Sequence, residues 1–369
     1  MVEYKVGVIG CGYVGLSLIK SFSKVYNTVG YDISKDRINF LNNTHKLDNV
    51  IYTTKEINIS SCNIYLIAVP TNIDKNSKQI NLEHLLSVKN LLKKYINKGD
   101  VIILESSIYI GGTRDLFSDF LKDGVNIGFS PERISPGDYE DCSEIPKIMS
   151  GLTDKSCDII DSIYSKIIKY TIKVSSTECA ETCKLYENCF RVVNIAYVNE
   201  IADMCKNIGI DVKEVVEASS TKPFGFMPFN PGFGIGGFCL PQNPYYLMYK
   251  SISSEFPVLS ESIKSLNNRP KKRANEINYK NILLIGIGFK ANQQLTAFSP
   301  ALVLYNELIK QKKNVTLYDY NLNVNKDFDF TIQNLKKYEC IIIGCKNDNL
   351  DIDLLDEYKD NNYGEVIYC

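Results

Sequence analysis

Histidine is nearly absent: the 369 residues hold two, His45 and His84. A metal centre built on imidazoles needs more than that, and a Ser-His-Asp nucleophile system has little to draw on. Neither sign of charge is in excess. Lys and Arg number 42 against 43 Asp and Glu, for a net charge of -1, so there is no overall bias toward nucleic acid or an anionic membrane. No stretch reaches the ~18 uninterrupted apolar residues of a membrane span. The twelve cysteines are scattered, without a Cys-x-x-Cys pair. They are too sparse for a disulfide scaffold, and the expectation is reduced thiols in a reducing compartment. Met1 to Gly10 lacks a basic region followed by an apolar core, so no signal peptide is expected and the expected address is the cytoplasm. Metal, nucleic acid and membrane all drop out as expected partners.

What is present is ordinary for a globular chain, with 44% apolar and 23% charged residues. At ~100–200 residues per domain, the length predicts two or three domains. Lys5 to Ile9 is a short apolar run without alternation, which predicts a buried parallel strand. Glycines follow, then a helical pattern through Leu16, Ile19 and Phe22. Strands are expected at Val29–Asp32, Ile64–Val69 and Val101–Leu104, with a helix over Leu82–Tyr95. This alternation argues for a doubly wound α/β domain. From Ser176 to Ile208 neither Gly nor Pro interrupts the pattern, which predicts one long helix joining two domains. A Gly/Pro/Phe-rich stretch, Pro223 to Pro244, separates it from a second helical block ending near Asn268. The basic run Lys271-Lys272-Arg273 reads as a solvated linker. Ile282 to Gly288 then repeats the strand-plus-glycine pattern of the start, with further strands at Val315–Tyr318, Cys340–Ile343 and Glu365–Cys369. The expected fold class is α/β: two Rossmann-like doubly wound domains joined by a central helical domain with a long spine helix. The expected boundaries are 1–175, 176–270 and 271–369.

Gly10-Cys11-Gly12-Tyr13-Val14-Gly15 is a Gly-x-Gly-x-x-Gly placed where a buried strand meets a helix. That context turns a weak motif into a dinucleotide fingerprint. Gly10 permits the tight turn, Gly12 lets backbone approach a pyrophosphate, and Gly15 lets helix and strand pack closely. Tyr13 and Val14 supply N–H groups at the positive end of the helix. Asp32, 22 residues after Gly10, closes the second strand. A carboxylate there hydrogen-bonds ribose hydroxyls and repels a 2′-phosphate, which favours NAD over NADP. Arg37 is placed to lie along the adenine ribose or to be a surface charge.

Glu181, Lys184, Asn188 and Arg191 fall on one face of the long helix. Alone, they read as a solvated face with an intrahelical Glu–Lys pair. Downstream, four glycines in six residues, Gly232 to Gly237, make a backbone able to approach a ligand closely, and Cys239 follows at once. A thiol at the end of such a loop is a candidate nucleophile, although most cysteines are small core residues.

These segments together resemble the UDP-glucose/GDP-mannose dehydrogenase family. The resemblance runs in order through Gly10–Leu16, Ala68-Val69-Pro70-Thr71, Ser130-Pro131-Glu132-Arg133, Ala180-Glu181, Lys184–Asn188, Asn199-Glu200, Gly236–Cys239, Gly288-Phe289-Lys290 and Ser299-Pro300. Ser130–Asp138, Thr221–Phe226 and Pro244–Leu247 are similar to the branch acting on UDP-N-acetylhexosamines. The resemblance implies an NAD-dependent oxidation of the sugar C6 alcohol to a carboxylate in two steps. Cys239 would capture the intermediate aldehyde as a thiohemiacetal, which is oxidised to a thioester and hydrolysed. It further implies that Lys184 and Asn188 stabilise oxyanions and that Glu132 is the acid/base for hydrolytic water. By the same resemblance Thr71 and Ser107 contact the cofactor. Arg133, Asn230, Gly232, Gly236 and Lys290, with Lys184 and Asn188, contact the UDP-sugar. A homodimer built on the central helices is also implied.

The sequence departs from the family pattern at several places. Asn243 stands where an Asp is usual four residues after the nucleophile, and an amide can orient water but cannot act as a base. Gln242 replaces a residue often basic, and Phe238 a histidine usual in the branch. Gln294, Leu295 and Ala297 replace an Asp-Asp and an Arg expected to reach the cofactor, and the third domain is short. Two alternatives stay open here: a UDP-glucose 6-dehydrogenase, or a catalytically impaired member that binds NAD or a nucleotide sugar.

Overall fold

The computed structural model describes residues 4–74, 77, 79–133, 142–250 and 255–368. Its contacts divide the chain into two compact units, Met1–Glu187 with Tyr245–Ser253, and Asn188–Pro244 with Ser254–Cys369.

The first unit begins β1 (Lys5–Ile9), α1 (Tyr13–Phe22), β2 (Asn27–Tyr31), α2 (Lys35–Thr44), β3 (Val50–Thr53) and β4 (Ile64–Ile67). A hairpin of β5 (Asn72–Ile73) and β6 (Ile80–Asn81) precedes α3 (Glu83–Leu92), β7 (Val101–Leu104), α4 (Gly112–Phe117) and β8 (Asn126–Phe129). Then come β9 (Lys147–Gly151), α5 (Asp154–Tyr164) and β10 (Thr171–Lys173). The large sheet has the order β10-β9-β8-β7-β4-β1-β2-β3. From β3 to β8 every pairing is parallel. β9 turns antiparallel to β8. Every residue of β4 and β7 is buried. Both faces of these strands are covered, which is why they appear in sequence as unbroken apolar runs.

The long helix α6 (Thr177–Ile208) has 32 residues and agrees with the unbroken pattern to within one residue at its start. The chain continues with α7 (Val212–Ser220), α8 (Asn243–Met248) and α9 (Pro257–Glu276). Here one expectation fails. The basic run Lys271–Arg273 is not a linker but part of α9, which includes Pro270 and ends at Glu276. The cause is tertiary. Arg269 is 7% exposed, and its guanidinium donates to both oxygens of Asp203 on α6 at 3.0 and 3.2 Å. Lys272 Nζ lies 2.6 Å from the same carboxylate. These bonds hold the helix through a proline that would otherwise end it.

The remaining strands are β11 (Asn281–Ile285), β12 (Asn314–Tyr318), β13 (Cys340–Ile343) and β14 (Glu365–Tyr368), with α10 (Pro300–Lys310) between the first two. The four strands pair in parallel in the order β12-β11-β13-β14. That is the order β2-β1-β4-β7 of the first sheet. The repeat extends to detail: Gly10 N–H donates to Tyr31 O at 2.8 Å, and Gly286 N–H to Tyr318 O at 2.9 Å. Asp32 accepts from Cys11 N–H at 2.8 Å, and Asp319 from Ile287 N–H at 2.8 Å.

Candidate active site

The glycine turn of the first unit is shaped as a dinucleotide site requires. Gly10 has φ of +94°, and a Cβ there would meet the Ala68 carbonyl oxygen at 2.5 Å. A Cβ on Gly15 would lie 1.8 Å from the Gly10 oxygen, whereas one on Gly12 would meet nothing within 4 Å. The backbone at Gly12 thus faces open space, and no side chain caps the α1 terminus that begins there. Tyr13 is 44% exposed and Val14 half-buried. Asp32 sits at the end of β2, with its second oxygen accepting from Ser34 N–H at 2.9 Å. Arg37 is not simply a surface charge: its Nε donates to Cys11 O at 2.7 Å, and its guanidinium lies 5.4 Å from the Phe40 ring centroid. It braces the turn from outside. Thr71 Oγ1 donates to Ser107 O at 2.8 Å, so these two expected cofactor contacts are brought together after β4 and β7. Open space at Gly12, an uncapped helix terminus and a carboxylate at the second strand end fit a dinucleotide.

A prediction separates fold from binding here. Gly15→Ala is expected to unfold the turn, because the new methyl collides with backbone. Gly12→Ala is expected to leave the melting temperature nearly unchanged while weakening NAD binding by about tenfold or more, at ~1.4 kcal/mol per decade. Calorimetric titration with NAD alongside thermal melts reads both, and unaltered NAD affinity in Gly12→Ala would refute the assignment.

At the ends of β7 and β8 lies a buried charge cluster. Lys147 Nζ, at the start of β9, lies 2.6 Å from Glu105 Oε2 and 2.9 Å from Glu132 Oε2. The side chains are 5%, 0% and 6% exposed. Tyr164 on α5 donates its hydroxyl proton to Glu105. Burial raises the Glu105 carboxyl to about 7 although Lys147 opposes the shift, and the two carboxylates keep Lys147 charged. Glu132 was expected at the site, but Glu105, Lys147 and Tyr164 were not. The available signal was a glutamate directly after the apolar run Val101–Leu104. Arg133 points to Glu187, with Nη2 to Oε1 at 2.7 Å, and also donates to Pro146 O at 2.9 Å. Ile134 to Asp138, part of the branch-like segment, lies outside the described residues.

Along α6 the solvated-face reading fails for Glu181, which is 0% exposed. It forms no Glu–Lys pair on its helix. Its oxygens accept from Gly111 N–H at 2.6 Å and Thr113 N–H at 2.9 Å, capping α4 from another element. Burial raises its carboxyl to about 7. Lys184 is half-buried.

In the second unit, Asn188 and Asn243 are each 2% exposed, and Asn188 Nδ2 donates to Asn243 Oδ1 at 2.5 Å. Arg191 donates to Asn188 Oδ1 at 2.5 Å. Asn243 N–H in turn donates to Cys239 O at 2.9 Å, which ties this chain of amides to the candidate nucleophile. Cys239 is exposed. Gly237 has φ of +79°, and a Cβ there would strike the Phe289 ring at 2.8 Å. Its N–H donates to Ala297 O at 2.8 Å. The residue in place of an expected arginine therefore holds the glycine loop through its backbone. Gly232 N–H donates to Asn199 Oδ1 at 2.8 Å, and Gly232 O accepts from Arg269 Nε. Gly236 packs against Phe289 and Pro300. Asn230 is exposed and Lys290 half-buried. Among the described residues no cluster of His, Cys, Asp and Glu is arranged to hold a metal ion.

Residues 4–168 match the UDP-glucose/GDP-mannose dehydrogenase family, NAD binding domain, and residues 178–269 match its central domain. The UDP-N-acetyl-D-glucosamine 6-dehydrogenase of Pseudomonas aeruginosa is 34% identical over 358 residues, covering 86% of this chain and 83% of that protein. The UDP-N-acetyl-D-mannosamine dehydrogenase of Methanococcus vannielii is 28% identical, covering 92% and 85%. The structure of UDP-D-ManNAc dehydrogenase from Pyrococcus horikoshii superposes with a TM-score of 0.87 at 22% identity, covering 99% of this chain and 94% of that one. At that identity the likeness is one of fold.

Proposed function

We propose, since this chain belongs to the UDP-glucose/GDP-mannose dehydrogenase family, that it oxidises the C6 alcohol of a UDP-N-acetylhexosamine to the carboxylate through covalent intermediates on Cys239. The observation that carries the reading is the thiol itself. Of ten described free cysteines, six are buried, three are intermediate and Cys239 is exposed, directly after the glycine loop. Relatives bearing the names UDP-N-acetyl-D-glucosamine 6-dehydrogenase and UDP-N-acetyl-D-mannosamine dehydrogenase support the substrate class.

The turn Gly10 to Gly15, with Asp32, Arg37, Thr71 and Ser107, would hold NAD, which when bound supplies the hydride acceptor for both oxidations. The Cys239 thiolate adds to the C6 aldehyde, forming a C–S bond and preventing its escape. Lys184 and Asn188 donate to the oxyanion that develops. In hydrolysis, water adds to the thioester carbon, the C–S bond breaks, the thiolate leaves, and Glu132 takes the proton from water. Arg133, Asn230, Gly232, Gly236 and Lys290 bind the nucleotide sugar. We propose functional domains at 1–175, 176–270 and 271–369, the last boundary falling inside α9, which both domains then share.

The test is NADH formation with UDP-N-acetylglucosamine, UDP-N-acetylmannosamine and UDP-glucose. Two NADH per N-acetylhexosamine oxidised is the expected result. Preference for UDP-glucose would replace the substrate assignment, and background turnover with NAD still bound would indicate an impaired member. Asn243→Asp is expected to raise turnover by about tenfold or more by restoring a carboxylate beside Asn188. A folded variant with no gain would show that Asn243 does not limit the reaction.

The reading includes a homodimer. Phe190, Tyr197 and Met204 recur every seven residues on α6, and Ile208 follows, with exposures of 38%, 61%, 49% and 61%. Such an apolar stripe on a long helix suits a second copy of the same helix. Tyr197→Asp is expected to shift the sedimentation mass from dimer to monomer, whereas a wild-type monomer would rule the assembly out. Free thiols suit a cytoplasmic address, which cell fractionation checks. No helix among the described residues is long and apolar enough to cross a membrane.

A further inference from the structure

We propose that Glu181 is a positioning residue: it locks the long helix α6, which carries Lys184, to the loop after β7, which carries Ser107. The inference rests on the reading of Lys184 as an oxyanion donor and of Ser107 as a cofactor contact.

Glu181 is 0% exposed, and its carboxylate spans two backbone donors of another element. Oε2 accepts from Gly111 N–H at 2.6 Å and Oε1 from Thr113 N–H at 2.9 Å, so both oxygens are held and the group has one orientation. Three residues earlier on α6, Glu178 accepts from Arg114, the next residue of α4, with both oxygens at 2.6 and 3.3 Å. α4 is therefore fastened to α6 at three successive points, Gly111, Thr113 and Arg114.

A helix of six residues can be capped from within its own turn, by a Ser, Thr or Asp at its N-cap position. Here that position is Gly111, with φ of +86°, where a capping serine or threonine is strained, and no side chain there accepts from the first turn. The cap comes instead from a buried carboxylate 70 residues away. Taking that group out of water is costly even when it is hydrogen-bonded, so capping alone does not account for it. A local cap stabilises one helix. A distant cap also fixes two elements relative to each other.

The loop so fixed is held at its other end beside β4. Ser106 Oγ donates to Val69 O at 2.7 Å, and Ser107 O accepts from Thr71 Oγ1 at 2.8 Å. Gly111 follows Ser107 by four residues. On α6, Lys184 is three residues beyond Glu181, ~4.5 Å further along the axis and on the same side. Glu181 is the joint between the loop that contacts the cofactor and the helix that holds the reacting sugar oxygen. A rigid joint sets the distance over which hydride leaves C6.

The test uses Glu181→Gln, which keeps the shape but sets an amide NH2 against one of the two N–H donors. In the cofactor-free protein, hydrogen exchange over Ser106–Thr113 is expected to quicken by about tenfold or more. With NAD and whichever of UDP-N-acetylglucosamine and UDP-N-acetylmannosamine the protein turns over, kcat is expected to fall by about tenfold or more while KM for the sugar stays within about twofold. Deuterium at both C6 positions is expected to slow the variant by a larger factor than the parent, because a loosened joint makes hydride transfer the slow step. Loss of folded molecules would lower kcat and leave that isotope effect alone. Unchanged exchange or an unchanged isotope effect in folded Glu181→Gln overturns the inference. Arg114→Met, whose side chain is 49% exposed, loosens the same fastening from outside. It is expected to show the same changes at smaller size, and it decides the matter by the same criteria if Glu181→Gln does not fold. The parent reading is judged separately: Lys184→Met is expected to lose about 100-fold or more in turnover. Normal turnover there overturns the parent reading and the inference with it, whereas a loss there beside an unaltered Glu181→Gln overturns the inference alone.

Discussion

Replacing Cys239 with serine is expected to reduce formation of the C6 carboxylate at saturating UDP-N-acetylhexosamine by about 10³-fold or more, the scale lost when a covalent nucleophile is removed. The chemistry predicts more than a rate. Oxidation of the alcohol to the aldehyde does not need the thiol, whereas the second oxidation needs a tetrahedral adduct, which a neutral hydroxyl forms poorly. The variant is therefore expected to yield one NADH per sugar where the parent yields two, with an aldehyde that hydroxylamine traps. The side chain is exposed, so the fold does not depend on it, and the melting temperature is expected to stay within about 1 °C because surface substitutions are usually within ~0.5 kcal/mol. Full turnover by the serine variant would remove the covalent scheme altogether.

The second large effect is on stability. Lys147→Met leaves Glu105 and Glu132 buried and facing each other without their shared cation. Removing one partner of a buried ion pair costs about 3–5 kcal/mol, which corresponds to a fall of roughly 10 °C in melting temperature for a domain of this size. The pH dependence has a definite sign. In the native protein the Glu105 carboxyl is raised to about 7, above its value in the unfolded chain, so the folded state binds more protons between the two. Its favourable contribution is fully present below about pH 4.3 and is lost as pH rises through about 7. Without Lys147 the carboxyl rises further, so the penalty of the variant is expected to be larger at pH 8 than at pH 5. Thermal melts at both values decide the matter. Equal losses at the two pH values would mean that charge in the cluster is not what Lys147 balances.

The sequence by itself determined the parts of this protein that depend on local pattern. Buried parallel strands must be continuous apolar runs, so Val101–Leu104 and Cys340–Ile343 were bounded to the residue. A helix without breakers stays a helix, which gave α6 within one position. The glycine turn and Asp32 could be read because a dinucleotide site is a local motif at a strand–helix junction. Side-chain partners were another matter. Glu181 looked like a solvent-facing charge, yet it caps α4, whose Gly111 is 70 residues away. Lys147 drew no notice, because its two carboxylates lie 42 and 15 residues from it in the chain. Arg269 and Lys272 resembled the start of a linker until Asp203, 66 and 69 residues distant, drew them into α9. Periodicity is a property of neighbours along the backbone. The partner of a buried charge is chosen by whichever strand or helix packs against it, and only the folded chain decides that.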